Sequence, residues 1–360
     1  MSLPKPNPAG AMLLLATLLA PSGAALGNEF SVYGVAHLSL DGVESGRDDE
    51  FDAASNSSRI GIRGKFDLAP DIAMVFQYEQ GLDLTFRGEN DGNGPVSRDG
   101  PVTTVRDSWL GLDTRFGALK GGKFGGLNQW VYNFNLFADR IGDLGNLWGG
   151  TGLPGRISEG VQYSLPEFRG FNARATWVPD EGRGNQDILV YSADFEYQGL
   201  NLGAGFLDLG RDAALDERDH LAWALTASRA IGKFDVGLGW QREVGIDGQR
   251  ARQRNSFTLG ASAEVLPRTR IKSQVTVSDS NRSNADAWQW AVSLERTITE
   301  RALVYLAFSR TFNESAAAFS TNNYGKGRAL FPAAGEDPWA VSLGLNLSFE
   351  HSLARFIGMR

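Results

Sequence analysis

The residue types that most often carry out chemistry in proteins are scarce and scattered in this chain. Cysteine is absent, which excludes disulfides, reactive thiols and zinc–thiolate sites. The three histidines, His37, His220 and His351, lie far apart, and none stands beside a serine motif that could pair a nucleophile with a base. The sequence therefore predicts no catalytic residue, no metal ligand and no cofactor, and it argues against an enzyme.

Charged residues offer a different kind of chemistry. Asp139 and Asp143 are four residues apart, so on a short helical turn both carboxylates would share one face. Two alternatives are that both acids are simply solvated, or that Arg140 pairs with one of them. The surrounding stretch 125–155 is rich in apolar and aromatic side chains, whereas an exposed loop should be polar. We therefore expect it to pack, either against the rest of the chain or at a subunit contact.

The elements that would position these acids show alternation of apolar and polar residues. From about residue 29 to the C-terminus this alternation recurs in segments of roughly ten residues, with no helical period between them. Period two is typical of a strand with one apolar face. In residues 287–294 one face holds Trp288, Trp290, Val292 and Leu294, and the other holds Gln289, Ala291 and Ser293.

About sixteen such strands can be counted, separated by turns that are alternately tight and long. Because a bilayer tolerates no unpaired sheet edge, the pattern predicts an all-β, transmembrane antiparallel β-barrel with an apolar outside and a wet inside. Aromatic residues near strand ends fit the girdles at the two membrane interfaces, and they include Tyr33, Trp177, Tyr197, Trp223, Trp240 and Trp339. A soluble β-protein or an exported passenger domain would need neither feature.

The first 27 residues have the pattern of a secretory signal peptide. Lys5 is their only charge, residues 11–20 are apolar, and Ala25-Leu26-Gly27 is a small-x-small cleavage site. Cleavage before Asn28 and cleavage before Ala25 both fit this pattern. We assign 1–27 to the signal peptide and 28–360 to the barrel. The net charge of −7 would become −8 once Lys5 is removed, and an acidic chain does not favour nucleic-acid binding.

Alternation also predicts which charges face the lumen. With Ile60, Ile62 and Phe66 on the lipid side, the strand that contains them turns three bases inward. A charge on the lipid face costs about 2–4 kcal/mol near the bilayer centre, and guanidinium stays charged at any usable pH. The inward bases predicted in this way are Arg59, Arg63, Lys65, Arg106, Arg156 and Arg174.

The same alternation leaves two difficulties. With Trp109 outward, Arg106 and Ser108 point inward, but Asp107 then falls on the lipid face, as does Glu159. A position near the rim or in a subunit interface would explain both acids. The rim is also the alternative location for any of the inward arginines.

The residues also resemble a known family, the trimeric general porins of Gram-negative outer membranes. The resemblance is specific over residues 29–180 and rests on alternation and strand count beyond them. The segments that carry it include Ser31–Val35, Ser58–Gly64, Met74–Glu79, Arg106–Leu112, Gly121–Lys123 and Val161–Phe171. It implies a 16-stranded barrel, a homotrimer, a third loop folded into the lumen, and passive diffusion of small hydrophilic solutes.

The resemblance further implies roles for individual residues. Arg59, Arg106 and Arg156 match the arginines that line the constriction in the family, and Asp139 and Asp143 lie in its acidic third loop. Lys123 joins the predicted basic wall, while Gln77, Glu79 and Ser108 are predicted to line the lumen elsewhere. Family members end on an aromatic residue used in assembly, but here the chain continues past Phe349, so 350–360 is either a tail or part of a shifted strand.

We therefore expect an integral outer-membrane protein that forms a water-filled channel for small hydrophilic solutes and ions. The alternative is a substrate-specific channel, for a sugar or an anion, on the same barrel. An aromatic ladder for such a channel could come from Trp130, Tyr132 and Trp148. Expected partners are further copies of the chain, outer-membrane lipid, lipopolysaccharide and the barrel-assembly machinery. The sequence does not determine the preferred solutes, the ion selectivity or any gating.

Overall fold

A computed structural model describes residues 28–46, 49–85, 101–179, 187–210, 220–249, 251–326 and 330–352. The signal peptide predicted at 1–27 and residues 353–360 lie outside these ranges. Among the described residues, no helix is long and apolar enough to cross a membrane.

The described chain is almost entirely β-structure. Two one-turn helices, α1 (Asn128–Val131) and α2 (Gly145–Trp148), lie between the sixth and seventh strands. The strands are β1 (Asn28–Glu44), β2 (Asp49–Ser55), β3 (Arg59–Ala69), β4 (Ile72–Leu82), β5 (Val102–Thr114), β6 (Gly117–Gly125), β7 (Arg156–Ser164), β8 (Phe171–Val178), β9 (Ile188–Tyr197), β10 (Leu200–Asp208), β11 (Leu221–Ile231), β12 (Phe234–Val244), β13 (Gln253–Leu266), β14 (Thr269–Ser280), β15 (Ala287–Thr299), β16 (Ala302–Asn313) and β17 (Trp339–Ser352).

These strands form one closed antiparallel sheet. From β3 onwards each strand pairs with the next in sequence, and β17 returns to pair with β1, where Leu38 lies opposite Leu345. Both β2 and β3 pair with β1, on its two halves, so together they make a single barrel strand interrupted at 56–58. Because β2 and β3 occupy one position in the sheet, the seventeen strand segments form sixteen barrel strands, which confirms the predicted 16-stranded barrel.

The two faces of the sheet differ as the alternation predicts. In β15, Trp288 and Leu294 are 43% and 50% exposed, whereas Gln289 and Ser293 are almost fully buried. Since the sheet is closed, the exposed apolar face is the outer surface and the polar face is the inner one. The last strand runs to Ser352, three residues beyond Phe349, so a tail can begin only after Ser352.

A β-bulge between β4 and β5 corrects the predicted orientation of β5. Tyr78 lies opposite Ser108, and Gln80 lies opposite Val105. Two residues of β5, Arg106 and Asp107, are therefore opposite a single residue of β4, Glu79. A bulge of this kind brings two consecutive side chains to one face and reverses the alternation after it. Asp107 is therefore on the inner face with Arg106. Ser108 was predicted to line the lumen but lies at an outer position.

The register after the bulge also places Trp109 inward rather than outward. Trp109 is opposite Gln77, an inner position, and Lys120 Nζ lies 4.0 Å from the centre of its ring.

A second bulge lies between β6 and β7, opposite Lys123 of the predicted basic wall. Gly122 pairs with Gly160 and Phe124 with Ile157, so Ser158 and Glu159 together face Lys123. Phe124 and Ile157 are buried on the inner side, which leaves Lys123 at an outer position. The prediction that Lys123 belongs to the lumen wall is therefore wrong, and Glu159 shares the outer face with it, as the alternation indicates.

Candidate constriction site

The segment 126–155, between β6 and β7, packs against residues of strands β9, β10 and β11. Trp130 and Trp148 are fully buried and form one cluster with Val190, Leu207 and Ala222 of β9, β10 and β11. The strands leave room for the two indole rings because they carry glycine at the points of contact. A Cβ atom on Gly205 would lie 2.3 Å from Trp130 Cε3, and one on Gly239 would lie 2.8 Å from Trp148 Cη2.

Polar contacts attach the same segment to four further positions on the inner wall. Trp130 Nε1 donates to Gln241 Oε1 at 3.2 Å, and Leu136 N donates to Gln274 Oε1 at 3.1 Å. Asn133 Nδ2 donates to Asp194 Oδ1 at 2.9 Å, and Arg140 forms a buried ion pair with Glu295. Arg140 therefore pairs with β15, not with Asp139 or Asp143 next to it in sequence.

Asp139 occupies the point where this segment faces the basic wall. Its backbone has a φ of 58°, a left-handed conformation that belongs to a turn and not to the predicted helical turn. Asp139 Oδ2 lies 3.8 Å from Arg59 Nη1, and Asp139 Oδ1 accepts a hydrogen bond from Tyr132 OH at 3.2 Å. The Asp139 carboxylate thus connects the segment 126–155 to Arg59 on β3.

Asp143 is turned into the protein and does not share a face with Asp139. Its side chain is fully buried and accepts hydrogen bonds from Asn135 Nδ2 at 2.6 Å and from the Asp139 and Gly145 amides, both at 2.8 Å. Burial and the negative charge of Asp139 raise the pKa of Asp143 to about 8 despite these donors. Its role in the structure is to hold the turn that presents Asp139.

The three arginines matched to the family constriction are all paired with acids. Arg106 Nε lies 2.6 Å from Glu79 Oε1, and Arg59 Nε lies 3.7 Å from Glu79 Oε2. Arg156 forms an ion pair with Asp107, which the bulge in β5 has turned inward. The structure therefore brings Arg59, Arg106 and Arg156 together with three carboxylates, of which Asp139 comes from the segment 126–155.

Two of these acids were not recognised as part of the site from the sequence. Glu79 was predicted only as a lumen-lining residue, although it carries the charge that complements two arginines. Asp107 was placed on the outer face. The signal for its true position is the pair Arg106-Asp107 itself, because two consecutive charges unsuited to lipid indicate a bulge that brings both inward.

Apart from Lys123, the remaining predicted bases lie on the inner face but pair elsewhere. Arg63 contacts Glu350 at 2.5 Å, Lys65 contacts Asp113 at 2.8 Å, and Arg174 contacts Asp194 at 2.5 Å. Lys65 and Asp113 are close to the short turns at one rim, away from Asp139. Gln77 pairs in register with Arg63, also on the inner face. Within the described residues, no cluster of three or more histidine or acidic side chains could hold a metal ion.

Comparison with known proteins identifies the family. The model of the Gram-negative porin family matches residues 10–316. The chain belongs to this family. It is 24% identical over 364 residues to outer membrane porin protein 32 of Delftia acidovorans, an alignment that covers 94% of this chain and 99% of that protein. It is 25% identical over 251 residues to the major outer membrane protein P.IA of Neisseria meningitidis serogroup C, which covers 56% and 61% of the two chains.

Solved porin structures have the same fold. The anion-selective porin from Comamonas acidovorans superimposes with a TM-score of 0.76 at 20% identity, over 89% of this chain and all of that one. The trimer form of OmpT from Vibrio cholerae gives a TM-score of 0.64 at 17% identity, over 90% of this chain and all of that one. The protein is thus an integral outer-membrane β-barrel of the porin type, a passive channel through the membrane.

Proposed function

We propose that the segment 126–155 lies inside this porin and that its Asp139 and the inner wall together form the narrowest part of the channel. The observation that carries the proposal is the position of Arg59, which lies 3.7 Å from Glu79 on the wall and 3.8 Å from Asp139 on the segment. The buried contacts of Trp130 with Gln241 on β12 and of Arg140 with Glu295 on β15 support it. A segment attached in this way reduces the cross-section available to solutes.

The charges of this constriction would sort solutes by polarity. Guanidinium groups on the wall and a carboxylate on the segment create a field across the water column. A hydrophilic solute with its own dipole can exchange hydration for these groups, whereas an apolar solute loses ordered water without compensation. The constriction would therefore pass small hydrophilic solutes and ions and retard apolar ones.

The charge balance at the constriction favours a general channel with a small ion preference. Arg59, Arg106 and Arg156 supply three positive charges, and Glu79, Asp107 and Asp139 supply three negative charges. Asp143 does not add to this balance at the surface, because its carboxyl group is buried. Neither sign of ion is strongly excluded by such an arrangement.

A second candidate function is a substrate-specific channel on the same barrel, with an anion as the substrate. It is favoured by the likeness to the anion-selective porin from Comamonas acidovorans. It is also favoured by the succession of Arg59, Arg63 and Lys65 along the inner face of β3. Conductance measured against salt concentration separates the two candidates, because a general pore gives a linear dependence and a binding channel saturates.

Two substitutions of opposite sign test the constriction. Arg59→Gln should shift the permeability ratio towards cations by roughly twofold, and Asp139→Asn should shift it towards anions by a similar factor. The measurement is the reversal potential of the reconstituted channel in a KCl gradient. The matched control is Arg242→Gln, since Arg242 lies in register with Trp223 at an outer position. If neither substitution moves the reversal potential, the constriction has been placed at the wrong residues.

We further propose that this porin is exported by the segment 1–27, inserted by the barrel-assembly machinery, and forms a homotrimer surrounded by lipid and lipopolysaccharide. The trimer form of OmpT from Vibrio cholerae, which has the same fold, supports the proposed homotrimer. Unheated samples should migrate on a detergent gel as a species about three times the mass of the heated chain. Migration at the monomer mass under mild conditions, together with intact channel activity, would argue against the trimer.

A further inference from the structure

A groove interrupts the apolar outer face of the sheet at strands β7 to β10. Its floor is a row of three alanines in register, Ala173 of β8, Ala193 of β9 and Ala204 of β10. All three lie on the same face as Tyr163 and Tyr191, which are 42% and 46% exposed. Methyl side chains therefore leave a depression between outer positions that carry large side chains.

Large apolar side chains border the alanine row on both sides. Tyr191 and Phe206 lie in register on one side, with their ring centres 6.0 Å apart. Phe171 and Phe195 lie in register on the other side. The cavity over the alanines, which Leu165 also lines, has a volume of about 370 Å³ and is almost wholly apolar.

The size of this groove limits what can occupy it. Its volume of about 370 Å³ is in the range of sites for small apolar ligands, which begins at roughly 300 Å³. A stable protein interface buries about 800 Å² on each partner, which is far more than one groove across three strands provides. On the outer surface of a membrane barrel, the apolar molecule of suitable width is a lipid acyl chain.

One end of the groove opens at the rim that carries the short turns. Leu165 directly precedes the turn 166–170, and Phe171 begins β8 directly after it. The turn is held against β9, because Gly170 O accepts a hydrogen bond from Glu196 N at 2.9 Å. In outer-membrane barrels the short turns face the periplasm. The groove therefore opens into the leaflet on the periplasmic side.

Two exposed arginines lie in the turns at this end of the groove. The Cζ atom of Arg115 lies 4.6 Å from the centre of the Phe116 ring, and that of Arg169 lies 5.2 Å from the centre of the Phe168 ring. Tyr163, at the border of the groove, donates a hydrogen bond from its hydroxyl to Phe116 O. In the part of the chain that the structure describes, neither arginine forms an ion pair.

The rim is complementary to an anionic headgroup. Phe116 and Phe168 are 67% and 66% exposed, and aromatic rings at the end of a barrel strand lie at the level of the lipid headgroups. Glu167 is the single acid of the two turns, so they carry a net positive charge. Guanidinium groups bind phosphate through charge-assisted hydrogen bonds.

We propose that the groove over Ala173, Ala193 and Ala204 binds one acyl chain of an anionic phospholipid, whose phosphate is bound by Arg115 and Arg169. The site lies on the outer surface and is independent of the constriction. It should prefer phosphatidylglycerol to phosphatidylcholine, because the choline group adds a positive charge that cancels the charge of the phosphate.

Native mass spectrometry of the detergent-solubilised protein tests the headgroup preference, with the two phospholipids carrying identical acyl chains. Phosphatidylglycerol should bind about tenfold more tightly than phosphatidylcholine. The double variant Arg115→Gln with Arg169→Gln should lose this preference and bind phosphatidylcholine as before. Arg301→Gln is the matched control, since Arg301 is exposed in the short turn between β15 and β16 at the same rim.

A substitution on the floor tests the groove itself. Ala193→Phe fills the depression and should weaken the binding of both phospholipids by roughly tenfold. Ala261→Phe is the matched control, because Ala261 is an exposed outer position on β13, in register with Val236. Heat-dependent gel migration verifies that every variant is folded.

The outcomes decide between the proposed lipid and other occupants. Loss of the headgroup preference in the double variant, together with weaker binding of both lipids in Ala193→Phe, supports the site. Equal affinity of the natural chain for the two phospholipids overturns it, and so does unchanged binding of phosphatidylglycerol in either variant. If Ala193→Phe instead changes the number of chains in the complex, the groove is a contact between copies and the proposal is wrong.

Discussion

At the scale of single residues, the burial of Asp143 has a consequence for pH dependence. In the folded turn its pKa is raised to about 8, whereas in an opened, solvated segment it would return towards 3.8. The folded turn therefore binds the proton more tightly than the open one. Its contribution to stability is complete below about pH 4, decreases as the pH rises through the window between these two values, and is lost above about pH 8.

We predict that the current noise of the open channel rises between pH 6 and pH 8.5 because the turn at Asp139 opens more often. Asp143→Asn, which cannot ionise, should abolish this pH dependence. Single-channel recording across the pH range measures it, with Asp113→Asn as the control because Asp113 pairs with Lys65 near a rim. A pH dependence that persists unchanged in Asp143→Asn would show that another group is responsible.

Arg106 and Glu79 show how neighbouring charges make an arginine wall possible. Arg106 is 4% exposed, and it retains its charge because Glu79 lies 2.6 Å away. Tyr33 OH adds a hydrogen bond to the second oxygen of Glu79 at 3.0 Å. The wall is thus a network of alternating charges, and each guanidinium presents only part of its surface to the water column.

At the scale of elements, the position of the segment 126–155 depends on glycines in the opposing strands. Gly205→Ala should displace Trp130, because the new Cβ atom would overlap the indole, and overpacking of this kind costs about 1–3 kcal/mol. Amide hydrogens of Trp130 and Val131 should then exchange at least about tenfold faster.

Gly121→Ala is the matched control for this substitution, because a Cβ atom at Gly121 would have no neighbour within 4 Å. Hydrogen exchange followed by mass spectrometry compares both variants with the natural chain. Equal exchange in the two variants would mean that the contact between Gly205 and Trp130 does not hold the segment in place.

The bulges act at the same scale. The bulge in β5 turns Arg106 and Asp107 to one face, and without it only one of the two could reach the proposed constriction. The bulge in β7 places Ser158 and Glu159 opposite Lys123 on the outer face. The first irregularity thus brings two charges to the inner face, and the second leaves Glu159 on the outer face, without a change in the number of strands.

At the scale of the whole molecule, the outer surface must match the bilayer. Leu259 is in the middle of β13, between Leu238 and Val275, and is 66% exposed. Leu259→Arg should reduce the free energy of unfolding by about 2–4 kcal/mol, because it places a charge near the centre of the membrane.

Leu68→Arg provides the comparison, since Leu68 is also exposed but lies beside a short turn at the rim. There the same substitution should cost about 0–1 kcal/mol. Equilibrium unfolding of the two variants in lipid bilayers measures the difference. Equal costs at the two positions would contradict the assignment of the apolar face to lipid.

The amino-acid sequence by itself determined the barrel, its strand count and the faces of most strands. The reason is that side chains of a strand alternate strictly between two faces, so a polar face and an apolar face can be recognised without any knowledge of pairing partners. This is why the inner position of Gln289 and the outer position of Leu259 follow from the sequence. The inner positions of Arg59, Arg63 and Lys65 follow in the same way.

Only the tertiary structure decided how the charges meet. The bulge that turns Asp107 inward arises from the register between β4 and β5, which the pattern of a single strand does not show. The ion pairs of Arg59 with Asp139 and of Arg140 with Glu295 join residues far apart in sequence, which only the folded chain brings together. The proposed constriction is therefore a property of the closed barrel and not of any one segment.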